Sequence, residues 1–168
     1  AAVAEESVGA GDRVLEVGTG SGWVAERVAA ETGASVVASD LNPHATRQAR
    51  ERGLEAVRAD LVAPFRDGAF DVVLFNPPYL PEDAAAARED WMETALSGGE
   101  DGRAVVEPFV DAVGRVLASD GFVLVLVSSL TGVEAVASFA GERGFSTVAM
   151  REESYPFETL SVLKLVPA

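Results

Sequence analysis

The sequence predicts an α/β fold: a mostly parallel seven-stranded sheet with a terminal antiparallel strand and helices on both faces. Three observations carry this expectation. Short apolar runs alternate with amphipathic helical patterns, the mark of βα units. Residues 70–75 are almost wholly apolar, interrupted only by Asp71, as in a strand covered on both sides. The last two strand-like runs, 145–151 and 159–166, follow each other with no helix between them. Only an antiparallel pair can be joined that shortly.

The elements follow in order. Residues 13–17 read as the first strand and 21–32 as a helix with Trp23, Val24 and Val28 on its buried side. Residues 35–39 form the second strand, ended by Asp40. A polar helix over 43–52 opens on Pro43, where the missing N–H costs nothing. Residues 54–59 are the third strand, ended by Asp60, and 70–75 the fourth, ended by Asn76. Between residues 77 and 101 the periodicity fails, which reads as a long functional loop. A helix over 103–118 carries an apolar stripe of Val106, Phe109, Val110, Val113, Val116 and Leu117. Its polar stripe of Glu107, Asp111 and Arg115 reads as a solvated face. A fifth strand over 121–128 and a helix over 133–143, closed by Gly144, lead to the final pair.

The 168 residues suit one domain, which at this length buries about 70% of its unfolded surface without staples. There is no Cys, which excludes thiolate metal sites, a cysteine nucleophile and disulfides. No uncharged apolar run reaches the ~18 residues of a membrane span, and the first residues show no signal-peptide core. A cytoplasmic protein with no membrane contact is expected. Acidic residues number 27 against 13 basic, a net charge of −14, and twelve of the basic residues are Arg. Such a field repels phosphate backbones, so broad nucleic-acid binding is not expected. The acids are spread along the chain, which favours adaptation to high salt over a face for a basic partner.

Four polar residues, Glu16, Asp40, Asp60 and Asn76, close four successive strands. In an open α/β sheet the ligand lies beyond the carboxyl ends of the strands, so the four are expected to share one crevice. The first strand runs into Gly18-Thr19-Gly20-Ser21-Gly22, where glycines allow a sharp turn and close approach to a ligand. Asp40 lies 22 residues after Gly18, near the offset at which an acid accepts from ribose hydroxyls. That pattern points to a nucleoside without choosing the cofactor.

Asn76-Pro77-Pro78-Tyr79 makes the choice. Together with Leu15-Glu16-Val17-Gly18-Thr19-Gly20-Ser21-Gly22 it resembles the class I S-adenosylmethionine-dependent methyltransferases, which have a Rossmann-like fold and methylate planar nitrogens. Trp91, the run Ser97-Gly98-Gly99-Glu100-Asp101-Gly102-Arg103 and the run Glu158-Thr159-Leu160-Ser161-Val162-Leu163-Lys164 narrow the likeness. They resemble the HemK-related glutamine methyltransferases, in the archaeal and eukaryotic branch that modifies class 1 translation release factors. The resemblance implies S-adenosylmethionine as cofactor and the Gly-Gly-Gln loop of a release factor as substrate. Glu16 and Gly18 would hold the methionine end, with Gly20 in the same loop and Glu16 near the ammonium group. Asp40 would bind the ribose, and Asp60 the adenine amino group with Leu61 against the ring. Asn76, Pro77, Pro78 and Tyr79 would face the methyl donor and the substrate amide. A carboxylate-lined crevice also suits a sulfonium better than the phosphates of NAD.

Other features read more plainly. His44, the single His, is expected at an exposed first turn and not as a base; Glu152 and Glu153 read as surface; Trp91 lies in the substrate-side loop. No cluster has metal-ligand spacing, and no metal is expected. The family's segment before the first strand, with its Pro-x-x-Asp-Thr-like sequence, has no match over residues 1–11, so a missing N-terminal segment is expected. The resemblance also implies a small zinc-binding activator protein. In the fold's usual strand order the third strand is an edge, so the activator is expected to add a strand near Leu54, Val57 and Val62. The enzyme alternatives are DNA adenine-N6 or cytosine-N4 methylation and lysine methylation. DNA would demand a basic duplex-binding surface that a −14 chain lacks. A non-catalytic cofactor-binding scaffold and an NAD-dependent oxidoreductase are the remaining readings; the intact Asn76 motif and the glycine spacing disfavour them.

Overall fold

The computed structural model describes residues 2–78 and 101–168. Tyr79, Trp91 and residues 97–100, singled out above, lie outside the described residues, as does most of the expected loop. Seven strands form one sheet: β1 (Arg13–Val17), β2 (Ser35–Asp40), β3 (Glu55–Arg58), β4 (Phe70–Phe75), β5 (Leu117–Ser128), β6 (Phe145–Ser154) and β7 (Thr159–Pro167). Their order is β3-β2-β1-β4-β5-β7-β6. β1 pairs in parallel with β2 and β4, and β2 with β3, whereas β6 and β7 are antiparallel. The expected fold class is the observed one.

The described residues divide into two compact units. The first comprises residues 1–75 and 112–124, and the second residues 76–111 and 125–168. The first unit's core is built on β1 and β4: Val14, Leu15, Val72 and Val73 are sealed from solvent, with Val62, Val113 and Val116. The second unit's core gathers Val106, Phe109 and Val110 with Val125, Val136, Leu163 and Leu165.

Helices α1 (Trp23–Thr32), α2 (Pro43–Glu51), α3 (Val106–Val113) and α4 (Val133–Glu142) lie near their expected positions, with instructive differences. On α1 the buried residues are Ala25 and Val28, while Trp23 is 54% and Val24 40% exposed. The expectation for Trp23 and Val24 is therefore corrected. The helix start lies over the glycine turn, where Ala25 donates its N–H to Glu16 and turns its own side chain into the core. Trp23 is turned out instead, with the Arg27 guanidinium 5.3 Å from its ring.

The expected helix over 103–118 is also corrected. α3 ends at Val113, a 3₁₀ turn follows over Gly114–Val116, and β5 begins at Leu117. Every residue of the apolar stripe is nonetheless buried. The polar stripe is not a merely solvated face. Glu107 pairs with Arg103 and Asp111 with Arg143. Arg115 donates to the carbonyls of Val62 and Phe65 and to Asp67, and its own carbonyl accepts from Gly68. Those bonds draw the chain out of the helix and pin the segment leading into β4.

β3 is an edge strand, as expected. It is shorter than the sequence suggests because the Leu54 N–H closes α2 by donating to Ala49. Val62 is 1% exposed and belongs to the core, so it is not part of an edge surface; Leu54 and Val57 are half-buried. Ala59 donates to Asp40, which with the β2–β3 register turns the backbone groups of Glu55 and Val57 towards β2. Those of Ala56 and Arg58 consequently point outward. The Arg50 guanidinium of α2 reaches the outward Ala56 carbonyl at 2.8 Å.

Candidate active site

The site begins with the turn after β1. Gly18, Gly20 and Gly22 all take left-handed backbone angles. Gly22 has no substitute on two counts: φ is +81°, and a Cβ there would lie 3.0–3.1 Å from Ala49 and Leu54. Gly22 caps α1 without a side chain, so the helix needs an acceptor from elsewhere. Glu16 supplies it. Its Oε2 accepts from Ala25 N at 3.1 Å and from Thr19 Oγ1 at 2.6 Å.

Glu16 is the penultimate residue of β1, only 4% exposed beneath the turn. Burial is the largest influence on its carboxyl and raises its pKa from 4.5 to about 7, assisted by the negative charge of Asp40. The bonds from Thr19 and Ala25 oppose that rise. Glu16 is therefore a carboxyl poised near neutrality, a property set by its burial and invisible in one dimension. Thr19 was equally unmarked as a functional residue; only its spacing of three from Glu16 hinted at the bond.

Asp40 ends β2. Its Oδ2 accepts from Gly20 N at 3.0 Å and its Oδ1 from Asn42 N at 2.9 Å. It thereby ties the glycine turn to the start of α2, where Asn42 caps the helix by accepting from His44 N. His44 is exposed at that first turn. A carboxylate has about four acceptor sites, so both Asp40 oxygens retain capacity for hydroxyl donors. Asp60 is exposed, two residues beyond β3, and its backbone carbonyl accepts from Ala63. Leu61 has a φ of +50°, costly for a branched side chain by about 1–2 kcal/mol. Such strain gathers at ligand-binding turns.

Within the first unit, then, successive strands β1, β2 and β3 bring a glycine turn and three acids to their carboxyl ends. Asn76 opens the second unit directly after Phe75, whose register partner on β1 is Val17. Asn76 is exposed, Pro77 buried and Pro78 half-buried. A shallow surface depression lined by Ser21, Gln48, Glu51 and Arg52 includes none of the expected site residues. Among the described residues no group of His, Asp and Glu is placed to hold a metal ion, and no helix is long and apolar enough to cross a membrane.

Residues 14–99 match the methyltransferase domain family. A protein of Methanocaldococcus jannaschii named as a protein N5-glutamine methyltransferase is 33% identical over 156 residues, spanning 89% of this chain and 79% of its own. The chain belongs to the HemK-related class I S-adenosylmethionine-dependent methyltransferases. A release factor glutamine methyltransferase of Mycolicibacterium smegmatis is 33% identical over 83% of the chain, which spans about half (54%) of that relative. The solved E. cuniculi Mtq2–Trm112 complex, responsible for methylation of the eRF1 translation termination factor, has a TM-score of 0.81 at 31% identity. The match covers 99% of this chain and 91% of that one. The carboxylate acceptors of Glu16, Asp40 and Asp60, at or just beyond the carboxyl ends of β1–β3, suit a cofactor rich in amine and hydroxyl groups, as S-adenosylmethionine is.

Proposed function

We propose that this chain methylates the side-chain amide nitrogen (N5) of the glutamine in the Gly-Gly-Gln loop of a class 1 translation release factor. The observation that carries the proposal is Asn76-Pro77-Pro78-Tyr79 directly after β4, in a chain similar at 31–33% identity to proteins named for this activity. When bound, S-adenosylmethionine supplies an electrophilic methyl group on a cationic sulfur.

Glu16 holds the ammonium of the methionine end, with the Gly18 and Gly20 backbone closing on it. Asp40 accepts from the ribose hydroxyls. Asp60 accepts from the adenine amino group, and Leu61 packs against the ring. Capacity left on Asp40 and the strained turn at Leu61 support these roles.

A glutamine amide nitrogen is a weak nucleophile because its lone pair is delocalised into the carbonyl. Its proton is too weakly acidic for a side-chain base to remove first. Positioning is the alternative. The Asn76 side-chain oxygen and the Pro77 carbonyl accept the two amide N–H bonds, aim the nitrogen and stabilise the positive charge that develops on it. Pro77 and Pro78 fix the backbone that aims the carbonyl. Tyr79 stacks on the amide plane and excludes water. The proton leaves to solvent after the methyl group is transferred.

The proposed partner is a small zinc-binding activator of the Trm112 kind that adds a strand at the β3 edge, near Leu54 and Val57. Supporting it are the outward backbone groups of Ala56 and Arg58 and the likeness to the Mtq2–Trm112 complex. We also read the 168 residues as one methyltransferase domain of a cytoplasmic, salt-adapted archaeal protein, on the strength of the −14 charge and the archaeal relative. DNA methylation has no support among the relatives named above.

Mass spectrometry of the release factor after incubation with the chain, activator and S-adenosylmethionine tests the activity. The expected result is one added methyl group on the loop glutamine. Asn76→Ala is expected to lower the rate at least about 100-fold while leaving the unfolding midpoint unchanged. An unmodified glutamine with wild-type protein would overturn the substrate assignment.

A further inference from the structure

We propose that Thr19 is a positioning residue for the cofactor: its hydroxyl engages one oxygen of Glu16 and leaves the other for a cationic ammonium group. The inference rests on the assignment of Glu16 to the ammonium made above and adds the group that makes Glu16 able to do this.

Thr19 is itself rigidly held. It is 7% exposed, its N–H donates to Ser39 O at 2.9 Å, and its carbonyl accepts from Gly22 N at 3.0 Å. The turn therefore fixes the hydroxyl that donates to Glu16 Oε2 at 2.6 Å. The same Oε2 takes the Ala25 N–H, so both donors converge on one oxygen. Oε1 accepts from neither. Among the described residues the only buried side-chain polar atom without a partner is Thr147 Oγ1, so Oε1 is not sealed in the core. It is the free end of an otherwise anchored carboxylate.

The surroundings otherwise disfavour a charge there. The flanking β1 residues and the register neighbours Ala38 of β2 and Leu74 of β4 are apolar. Asp40 of β2 adds negative charge, and the Ser39 hydroxyl is spent on the Glu16 backbone carbonyl. Among the described residues no cation acts on Glu16, and the Thr19 bond is the strongest influence favouring its ionised form. Without the hydroxyl, Glu16 keeps its proton at neutral pH, and a neutral carboxyl has little to offer an ammonium.

The test uses Thr19→Val and Thr19→Ser, with S-adenosylhomocysteine as probe because it keeps the ammonium and lacks the sulfonium. Its affinity is measured by calorimetry from pH 5.5 to 8.5, and the Glu16 carboxyl is titrated by NMR in the ligand-free protein. For the wild type, affinity is expected to fall as pH drops below about 7, approaching tenfold per unit. Thr19→Val is expected to raise the Glu16 midpoint by about one unit. Binding then weakens about fivefold at pH 7 and about tenfold at pH 6, and nearly matches wild type at pH 8.5. Thr19→Ser restores the wild-type profile. An equal loss at every pH would show a merely structural role and overturn the proposal, as would a Glu16 midpoint unmoved in Thr19→Val. A midpoint that moves while wild-type binding ignores pH would instead overturn the assignment of Glu16 to the ammonium, and the proposal with it.

Discussion

Glu16 shows how one side chain can serve both fold and site. It caps α1 from the neighbouring strand because Gly22, required for its backbone angle and its contact with Ala49, has no side chain to do so. The cost of burying it appears as a pH dependence of stability. Its folded pKa of about 7 lies above the unfolded value of 4.5, so the folded state binds the proton more tightly. That contribution is fully present below about pH 4.5 and is lost as pH rises to about 7, an amount on the order of 3 kcal/mol. Glu16→Gln stays neutral and can keep an acceptor for Thr19 and Ala25. Denaturant unfolding at pH 5 and pH 8 is expected to show the wild type losing stability on the alkaline side and the variant losing little. The variant should also bind S-adenosylhomocysteine weakly at both pH values.

At the scale of elements, the β3 edge is the most consequential feature. Its outward carbonyl at Ala56 is covered by Arg50, and its strand is only four residues long. Both features discourage pairing with stray strands. Arg50→Ala would bare the acceptor without touching the core, since Arg50 is exposed. The expected outcome is concentration-dependent self-association of the isolated chain in sedimentation velocity. Adding the activator is expected to suppress it if both use the same edge. Self-association that persists with activator bound would place the activator elsewhere. Arg115 plays a complementary part at the other end of the segment that follows β3. By holding Val62, Phe65 and Asp67 it fixes the route from the Asp60 turn into β4.

For the whole molecule the charge dominates. Glu16, Asp40 and Asp60 account for three of the 27 acids. Several others sit in exposed ion pairs such as Arg52–Glu26 and Arg143–Asp111, whose attraction is largely screened by solvent. The remaining negative charge repels itself across a small surface. Screening shortens that repulsion to ~3 Å at 1 M salt and lets it act over ~30 Å at 0.01 M. Thermal unfolding is therefore expected to shift to markedly lower temperature when the chain is moved from molar to millimolar potassium chloride. Equal midpoints in both would remove the support for salt adaptation. In high salt, electrostatic steering fades, so docking of activator and substrate would rest on strand pairing and apolar contact.

Period and punctuation in the sequence were sufficient for the strand series, the parallel sheet and its antiparallel close. Apolar runs have one comfortable place in a layered fold, and short links have one comfortable pairing. They also marked Glu16, Asp40, Asp60 and Asn76, because a polar residue ending a buried strand stands out in one dimension. Packing decided the rest. Trp23 faces outward because the helix start crosses a glycine turn. Val116 and Leu117 leave the helix because a 3₁₀ turn and the start of β5 bury them equally well and Arg115 binds across the chain. Val62 joins the core because the segment around it is tied down from fifty residues away. The poise of Glu16 and the reach of Thr19 belong to the same class. Burial and hydrogen-bond geometry are properties of neighbours in space, and those neighbours exist only once the chain has folded.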